Sequence, residues 1–209
     1  MLHETMPSRL RYPLVLLPGL DGTDVLYRPL LHLLKERADA RVVQYPTSGP
    51  CDYEAALAHA TEALRSTGPC HLVAWSFSGP VALQAARLEP ELVRSLTLIA
   101  TFVEAPLPWL RVARPLLVKP IIGAARMLRR LPIWLGRAPR DPLRVAKAEI
   151  WQRVGARTLT ARLRAIQRVD AREHLRAVAQ PLQYIRCCDD RVVPRRNMEQ
   201  VLSLRADVE

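Results

Sequence analysis

Five short apolar runs, separated by helical patterns, constrain the fold of this chain more than any other feature of its sequence. Such runs predict the strands of a parallel sheet, because strands that are covered on both faces are almost continuously apolar. Breakers such as Pro18-Gly19 and Gly68-Pro69 separate the elements. An α/β fold with a mostly parallel sheet and flanking helices is therefore expected. The predicted strands are Tyr12–Leu17, Arg41–Tyr45, Cys70–Trp75, Ser95–Ala100 and Leu182–Cys187, and the predicted helices are Leu26–Arg37, Tyr53–Ser66 and Pro80–Leu88.

The pattern changes after Ala100, where the strand signal stops and arginine-rich amphipathic helical patterns follow. We interpret residues 104–179 as a helical cap inserted into a core made of residues 1–103 and 180–209. The cap is also where the positive charge lies. Residues 104–168 hold 15 of the 31 Lys and Arg residues but 3 of the 20 Asp and Glu residues, in a chain whose net charge is +11. The excess charge is therefore a property of one region.

Composition and length argue against a disordered or membrane-spanning chain. The 209 residues suffice for one domain with a core, and 49% hydrophobic with 24% charged residues is typical of a soluble globular protein. No apolar run is long enough to span a membrane, and no secretion signal is present, so a cytoplasmic location is expected. The cysteines have no metal-ligand spacing. We expect free thiols, no metal and no cofactor; the cysteines are Cys51, Cys70, Cys187 and Cys188.

The segment 72–80 carries the clearest chemical signal. An apolar strand runs into the pattern small-x-Ser-x-small, with Ser76 at the centre and Ala74 and Ser78 at the small positions, and a helix follows. Such a serine sits on a tight turn that projects its hydroxyl above the sheet, and a helix N-terminus behind it stabilises negative charge. Ser78 is the rival nucleophile, but Pro80 fits badly at its second small position. We therefore favour Ser76, although an ordinary turn with two polar residues has the same pattern.

A loop at residues 17–23 follows the first predicted strand. Its position next to the nucleophile strand lets a backbone N–H point at a developing oxyanion, and Gly19 and Gly22 allow the backbone to approach a substrate. The N–H of Leu20 would pair with that of Phe77, the residue after the nucleophile. A glycine-rich turn without chemistry is the alternative.

A carboxylate follows the last predicted strand, at Asp190. A triad acid belongs at the end of a strand that comes after the cap, because it must orient a histidine at the sheet edge. Asp189 is its neighbour, and we choose Asp190 for its spacing to Val193-Pro194. A turn or helix-capping aspartate would look the same in sequence.

Together these segments resemble the α/β-hydrolase superfamily over nearly the whole chain, and in particular a group of largely uncharacterised bacterial members. The resemblance implies an α/β-hydrolase fold, with Ser76 as nucleophile, Asp190 as acid, and Leu20 and Phe77 as oxyanion-hole residues. It also implies that the insert is the family's lid. The matching words are Leu-Pro-Gly-Leu-Asp-Gly-Thr at 17–23, Trp-Ser-Phe-Ser-Gly-Pro at 75–80 and Asp-Arg-Val-Val-Pro at 190–194.

The chain departs from the family pattern at its C-terminus. The superfamily histidine lies on a loop after one more strand, whereas 19 residues follow Asp190 here, enough for a helix near Arg195–Leu204 and the start of a strand. We therefore expect the last strand and helix of the fold, and the catalytic histidine, to be missing from this chain. The five histidines do not match the family position, and His174 is the first substitute to consider. The others are His3, His32, His59 and His71.

The sequence thus predicts a serine hydrolase for ester or thioester bonds of a mainly apolar acyl substrate, inactive as this chain stands. Two alternatives remain open: an acyl transferase, or a non-catalytic binding protein on the same fold. The basic cap could contact an anionic surface or an acyl carrier, but a solvated helix face explains its arginines as well. No specific nucleic-acid partner is expected.

Overall fold

A computed structural model describes residues 9–107 and 142–209 and shows a five-stranded, fully parallel sheet in the order β2-β1-β3-β4-β5. The predicted α/β class is confirmed, and so are all five strands, with ends that differ from the prediction by at most three residues. The strands are β1 (Leu14–Leu17), β2 (Ala40–Val42), β3 (Cys70–Trp75), β4 (Val93–Ile99) and β5 (Leu182–Ile185).

Helices connect successive strands, as a parallel sheet requires. The first predicted helix is split, because a 3-10 turn (Val25–Tyr27) precedes α1. Asp52 begins α2 by accepting a hydrogen bond from the Ala55 N–H at 3.1 Å, and Gly68 ends it with a φ of +77°. The helices are α1 (Arg28–Leu34), α2 (Tyr53–Thr67), α3 (Gly79–Leu88), α4 (Pro142–Arg153), α5 (Ala156–Arg168), α6 (Arg172–Ala177) and α7 (Arg195–Leu204).

The core lies between one face of the sheet and helices α2 and α3. Register places Leu72, Leu96 and Leu182 in one row on this face, and all three are buried. The small residues of α3 are buried as well, which lets this helix lie close to the strands. Alternate residues of β3 and β4 on the opposite face are only half-buried.

Residues near the two ends of the predicted insert lie side by side. Glu104 pairs with Asp170 in an isolated antiparallel bridge, and the Ala171 N–H donates to the Val103 carbonyl at 2.7 Å. Helix α6 follows and packs against α3. The cap boundaries 104–179 remain a prediction, and residues 108–141 of this segment, with the arginines Arg126, Arg129 and Arg130, lie outside the described residues.

The last described residues pair with β5. The Glu209 N–H donates to the Leu182 carbonyl at 3.2 Å, and the Tyr184 N–H donates to the Glu209 carbonyl at 2.8 Å. The helix predicted near Arg195–Leu204 is present as α7. The backbone of Glu209 therefore lies beside β5 in the position of a further strand.

Candidate active site

The three segments singled out in the sequence meet at one edge of the sheet. Trp75, Ile99 and Ile185 are register partners at the ends of β3, β4 and β5, so the residues after them leave the sheet on the same side. Leu17 is the register partner of Ala74, so the loop after β1 leaves there too. Parallel strands give this result because all their carboxyl ends lie together, which is where open α/β sheets bind ligands.

Ser76 stands on a strained turn between β3 and α3. Its φ is +52°, in the left-handed region that L-residues other than glycine rarely adopt, whereas Trp75 before it is still extended. The side-chain hydroxyl of Thr101, just beyond β4, donates to the Ser76 carbonyl and holds the turn. Ser76 itself is half-buried. The serine backbone is thus fixed in a conformation that an ordinary turn has no need to maintain.

Gly79 explains why the turn can be so tight, although the sequence analysis gave it no steric role. A Cβ built on Gly79 would lie 2.7 Å from Thr101 Cγ2, and closer still to Thr101 Oγ1. Ala74 and Ser78 were the positions for which small residues were required from sequence. In the structure, Gly79 is the position in this turn where an added side chain would clash most severely.

The hydroxyl of Ser78 is occupied by other groups. Its side chain is fully buried, its Oγ lies 2.7 Å from the Tyr45 hydroxyl, and it donates to the Pro18 carbonyl. These contacts join the turn to the loop after β1. A serine with both hydrogen-bonding directions filled is poorly suited to attack a substrate, which favours Ser76 over Ser78.

The loop after β1 packs directly against the strand that carries Ser76. A Cβ on Gly19 would lie 3.2 Å from the Trp75 ring, so a larger residue there would require the ring to shift. The Gly22 N–H closes a turn onto the Gly19 carbonyl at 3.0 Å. Leu20, the predicted oxyanion residue, is half-buried within this turn.

Phe77, the other predicted oxyanion residue, is held by its ring. The side chain is completely buried and stacks on Tyr53 with ring centroids 4.5 Å apart and planes 7° apart. Tyr45 meets the same ring edge-on. The backbone on the far side of the turn is thereby anchored in the core.

Asp21 is a buried carboxyl in the same loop. Burial raises its pKa above the ordinary value, and hydrogen bonds from the hydroxyl and the N–H of Thr23 partly offset that rise. The carboxyl therefore serves the loop's own hydrogen bonding.

Asp190 lies on a different kind of loop. Its Oδ1 accepts hydrogen bonds from the N–H groups of Val192 and Val193 at 2.8 and 2.9 Å, so one of its oxygens closes its own turn. The residue is half-buried, whereas Asp189 is exposed. The assignment of Ser76, Asp190, Leu20 and Phe77 to catalysis remains a prediction, and the structure brings their segments to one sheet edge.

Tyr184 links β5, the strand before Asp190, to the turn at Ser76, which the sequence analysis did not foresee. Its hydroxyl donates to the Thr101 carbonyl at 2.6 Å and accepts from the Thr101 N–H at 3.2 Å. Burial raises the pKa of this hydroxyl to about 12, so it stays protonated and able to donate. Thr101 thus contacts both Ser76 and Tyr184.

The described histidines lie elsewhere. His32 and His59 are exposed on α1 and α2, and His71 is near the start of β3, where its Nδ1 lies 2.8 Å from the Ser95 hydroxyl. His174 is on α6, with its Nδ1 3.3 Å from the guanidinium of Arg87 near the end of α3. None of these positions follows the carboxyl end of a strand; His3 lies outside the described residues.

The described ranges, residues 9–107 and 142–209, hold neither a candidate membrane span nor a candidate metal cluster. No helix there is both long and apolar enough to cross a membrane. No group of three or more metal-binding side chains is found in the same ranges.

Comparison with known proteins decides the family. The sequence pattern of the alpha/beta hydrolase family matches residues 14–209. The chain belongs to the alpha/beta hydrolase family. The resemblance drawn from the three motifs is thereby confirmed.

Curated relatives of this chain include one esterase. A pimeloyl-[acyl-carrier protein] methyl ester esterase from Methylococcus capsulatus is 33% identical over 138 residues, which are 60% of this chain and 54% of that protein. A polyketide synthase, ThaQ, from Burkholderia thailandensis is 35% identical over 96 residues, 42% of this chain and 5% of that protein. The matched regions thus span about half of one relative and a small part of the other.

Solved structures agree on the fold. An enol-lactonase from Burkholderia xenovorans superimposes with a TM-score of 0.73 at 14% identity, covering 97% of this chain and 84% of that one. A thermophilic esterase from Thermogutta terrifontis gives 0.72 at 18% identity, covering 97% and 80%. At such identities the likeness shows the alpha/beta hydrolase fold alone.

Proposed function

We propose that this alpha/beta hydrolase is a serine hydrolase that cleaves ester or thioester bonds of a mainly apolar acyl substrate. One observation carries the proposal: Ser76 is held at a φ of +52° between β3 and α3, at the carboxyl edge of the sheet. Strain of this kind persists only where surrounding contacts maintain it, and it clusters at functional sites. The named activity of the Methylococcus capsulatus relative, a methyl ester esterase, supports the ester class.

The chemistry follows from the arrangement. The Ser76 oxygen attacks the acyl carbonyl carbon while a general base accepts its proton, and the N–H groups of Leu20 and Phe77 hold the oxyanion. Collapse of the tetrahedral intermediate expels the alcohol or thiol, and water then hydrolyses the acyl-serine. Asp190 would orient and stabilise the base.

The general base limits the rate. Since the described histidines lie away from Ser76, we propose that the 209-residue chain turns over activated esters only slowly. Loss of a triad histidine costs on the order of 10⁶ in kcat, and the remaining machinery leaves about 10³–10⁴ over water.

Chemical rescue tests this proposal. Hydrolysis of p-nitrophenyl acetate is measured with increasing imidazole, for the unsubstituted chain and for Ser76→Ala. Imidazole can accept the serine proton, so the difference between the two proteins should rise with its concentration and then saturate. Asp190→Asn should reduce the rescued rate. Equal rates for both proteins at every imidazole concentration would reject Ser76 as the nucleophile.

Fast hydrolysis without imidazole would require a base within the chain. The variant His174→Gln then tests whether His174 acts as that base in place of the missing histidine. Loss of that activity in His174→Gln would place the base on α6, contrary to our interpretation that His174 lies away from Ser76.

A non-catalytic acyl-binding protein is the second candidate, and the placement of the described histidines favours it. In that case a fatty acyl ester should bind without turnover, and Ser76→Ala should bind it with unchanged affinity. The rescue experiment separates the two candidates, because a pure binding protein shows no imidazole-dependent difference.

An acyl carrier is the partner that we propose for the basic cap, again following the acyl-carrier-linked substrate in the relative's name. Arg157 and Arg168 are exposed on α5, whereas Arg153 is paired with Glu149 at 2.6 Å. Binding of an acidic carrier should weaken steeply between low and physiological salt. Salt-independent binding, or none, would leave a solvated helix face as the explanation.

A further inference from the structure

Arg162 is the largest completely buried side chain of the described residues, and neither the sequence motifs nor the family match assigns it a role. It lies on α5, in the inserted region, yet its side chain is 1% exposed. A buried guanidinium is costly unless its donors are satisfied, so the contacts that satisfy it show what it holds.

The guanidinium connects two loops at the carboxyl edge of the sheet. Its Nη1 donates to the Leu20 carbonyl and its Nη2 to the Pro46 carbonyl, both at 2.8 Å. The group also lies 5.7 Å from the centre of the Tyr45 ring. A planar fork with separate donors can join two carbonyls of different loops at once, which a lysine ammonium on its flexible stem does less well.

The loop after β1 is shaped around this side chain. A Cβ on Gly22 would lie 2.6 Å from both Nη atoms, so glycine at that position leaves room for the guanidinium. The same glycine has a φ of +69° and donates to the Gly19 carbonyl. The two peptide groups that flank Leu20 are therefore both fixed, one by Gly22 and the other by Arg162.

We propose that Arg162 is a positioning residue that holds the Leu20 segment in the orientation needed for an oxyanion-hole N–H. The inserted region thereby acts on the chemistry through the backbone of the β1 loop, without touching the reacting atoms. The catalytic part of this inference rests on the proposed function, whereas the structural part does not.

Amide hydrogen exchange tests the structural part. Arg162→Met keeps an unbranched stem but removes the guanidinium and its donors, and exchange in residues 19–23 should become at least tenfold faster, while β1, β3 and α3 exchange as before. Arg162→Lys should give a smaller increase, because one carbonyl keeps a donor. Arg144→Met, an exposed arginine on α4, is the matched control and should change nothing.

Two exchange results would overturn the proposal: no local increase in either variant, or an increase that is uniform over the whole sheet. Uniform acceleration would indicate a general loss of stability. If Arg162→Met fails to fold, Arg162→Lys decides, since it retains the buried charge.

Turnover tests the catalytic part. Oxyanion-hole donors bond well to the oxygen of an ester and poorly to the sulfur of a thionoester. Arg162→Met should lower the Ser76-dependent, imidazole-rescued kcat for p-nitrophenyl acetate about tenfold to 100-fold with little change in KM. The thionoester should lose much less.

An equal loss for both esters would show a role outside the oxyanion hole and would contradict the proposal. Absence of any Ser76-dependent turnover in the unsubstituted chain would instead count against the proposed function. In that case the exchange experiment still decides whether Arg162 positions the loop.

Discussion

The two halves of the candidate site are built differently. The serine side comprises the β1 loop, the turn at Ser76 and Arg162; the acid side comprises residues 186–194. On the serine side, buried groups hold each other, with Ser78, Tyr45 and Arg162 all inside the core. On the acid side, much of the loop is open, and Ile185 and Val192 beside it are 45% and 64% exposed.

The serine side is therefore the preorganised half of the site. The serine side keeps a strained backbone because a close-packed surround leaves it no alternative, as strain at functional sites requires. Asp190 is held mainly by hydrogen bonds to its own turn, from the N–H groups of Val192 and Val193. The groups that would align the nucleophile are thus fixed within the described residues, whereas the acid depends on a local turn.

The largest expected effect tests how tightly the serine side is packed. Gly79→Ala places a methyl group 2.7 Å from Thr101 Cγ2, and overpacking of this kind should cost about 3 kcal/mol in the free energy of unfolding. Gly155→Ala is the control, because no atom lies within 4 Å of its added Cβ. Urea unfolding of both variants measures the contrast. Similar stabilities for the two would show that the turn yields easily.

A second pair of variants separates the two serines. Ser78→Ala leaves the buried Tyr45 hydroxyl without its partner, which should cost about 1–3 kcal/mol. Ser76→Ala keeps the turn and should cost less than about 1 kcal/mol, since Ser76 is half-buried. Thermal and urea unfolding give both values. If Ser78→Ala is as stable as the unsubstituted chain and also removes the imidazole-rescued activity, the assignment of Ser76 as nucleophile and Ser78 as a structural residue is wrong.

The acid side should respond more weakly. Asp190→Ala removes the acceptor for two N–H groups, but water can replace it on an open loop, so we expect a loss of about 1 kcal/mol or less. Asp189→Ala, on an exposed neighbour, should be neutral. A loss as large as that of Ser78→Ala would mean that the acid side is as firmly built as the serine side.

The smallest expected effect is a pH dependence from Asp21. Burial raises the pKa of this carboxyl above its ordinary 3.8. The contribution of the carboxyl to the free energy of unfolding is therefore fully present below pH 3.8 and is lost as pH rises through the folded-state pKa. Asp21→Asn cannot ionise and should gain stability relative to the unsubstituted chain across that interval. Urea unfolding at several pH values from 3 to 7 measures this. If the stability of Asp21→Asn relative to the unsubstituted chain fell with rising pH, burial would not be what shifts the pKa of Asp21.

Much of the fold could be predicted from local sequence. Buried parallel strands are recognisable in the sequence as apolar runs. Strand β3 has the predicted bounds because its apolar residues are followed directly by the turn pattern at Ser76. The predicted strand at Arg41–Tyr45 ends early, at Val42. The Val43 N–H still donates to the Leu16 carbonyl of β1, but the Tyr45 N–H donates to the Gly22 carbonyl of the β1 loop. Element ends depend on such partners.

Local sequence was enough to predict the fold class, the alpha/beta hydrolase family and the segments that meet at the carboxyl edge, because periodicity and motifs are local and parallel strands align their ends. The folded structure alone shows that Gly79 faces Thr101, that Ser78 is bonded to Tyr45, and that Arg162 contacts Leu20, 142 residues earlier in the chain. Such pairs leave no mark in local sequence, because each partner is an ordinary residue until packing brings the other beside it.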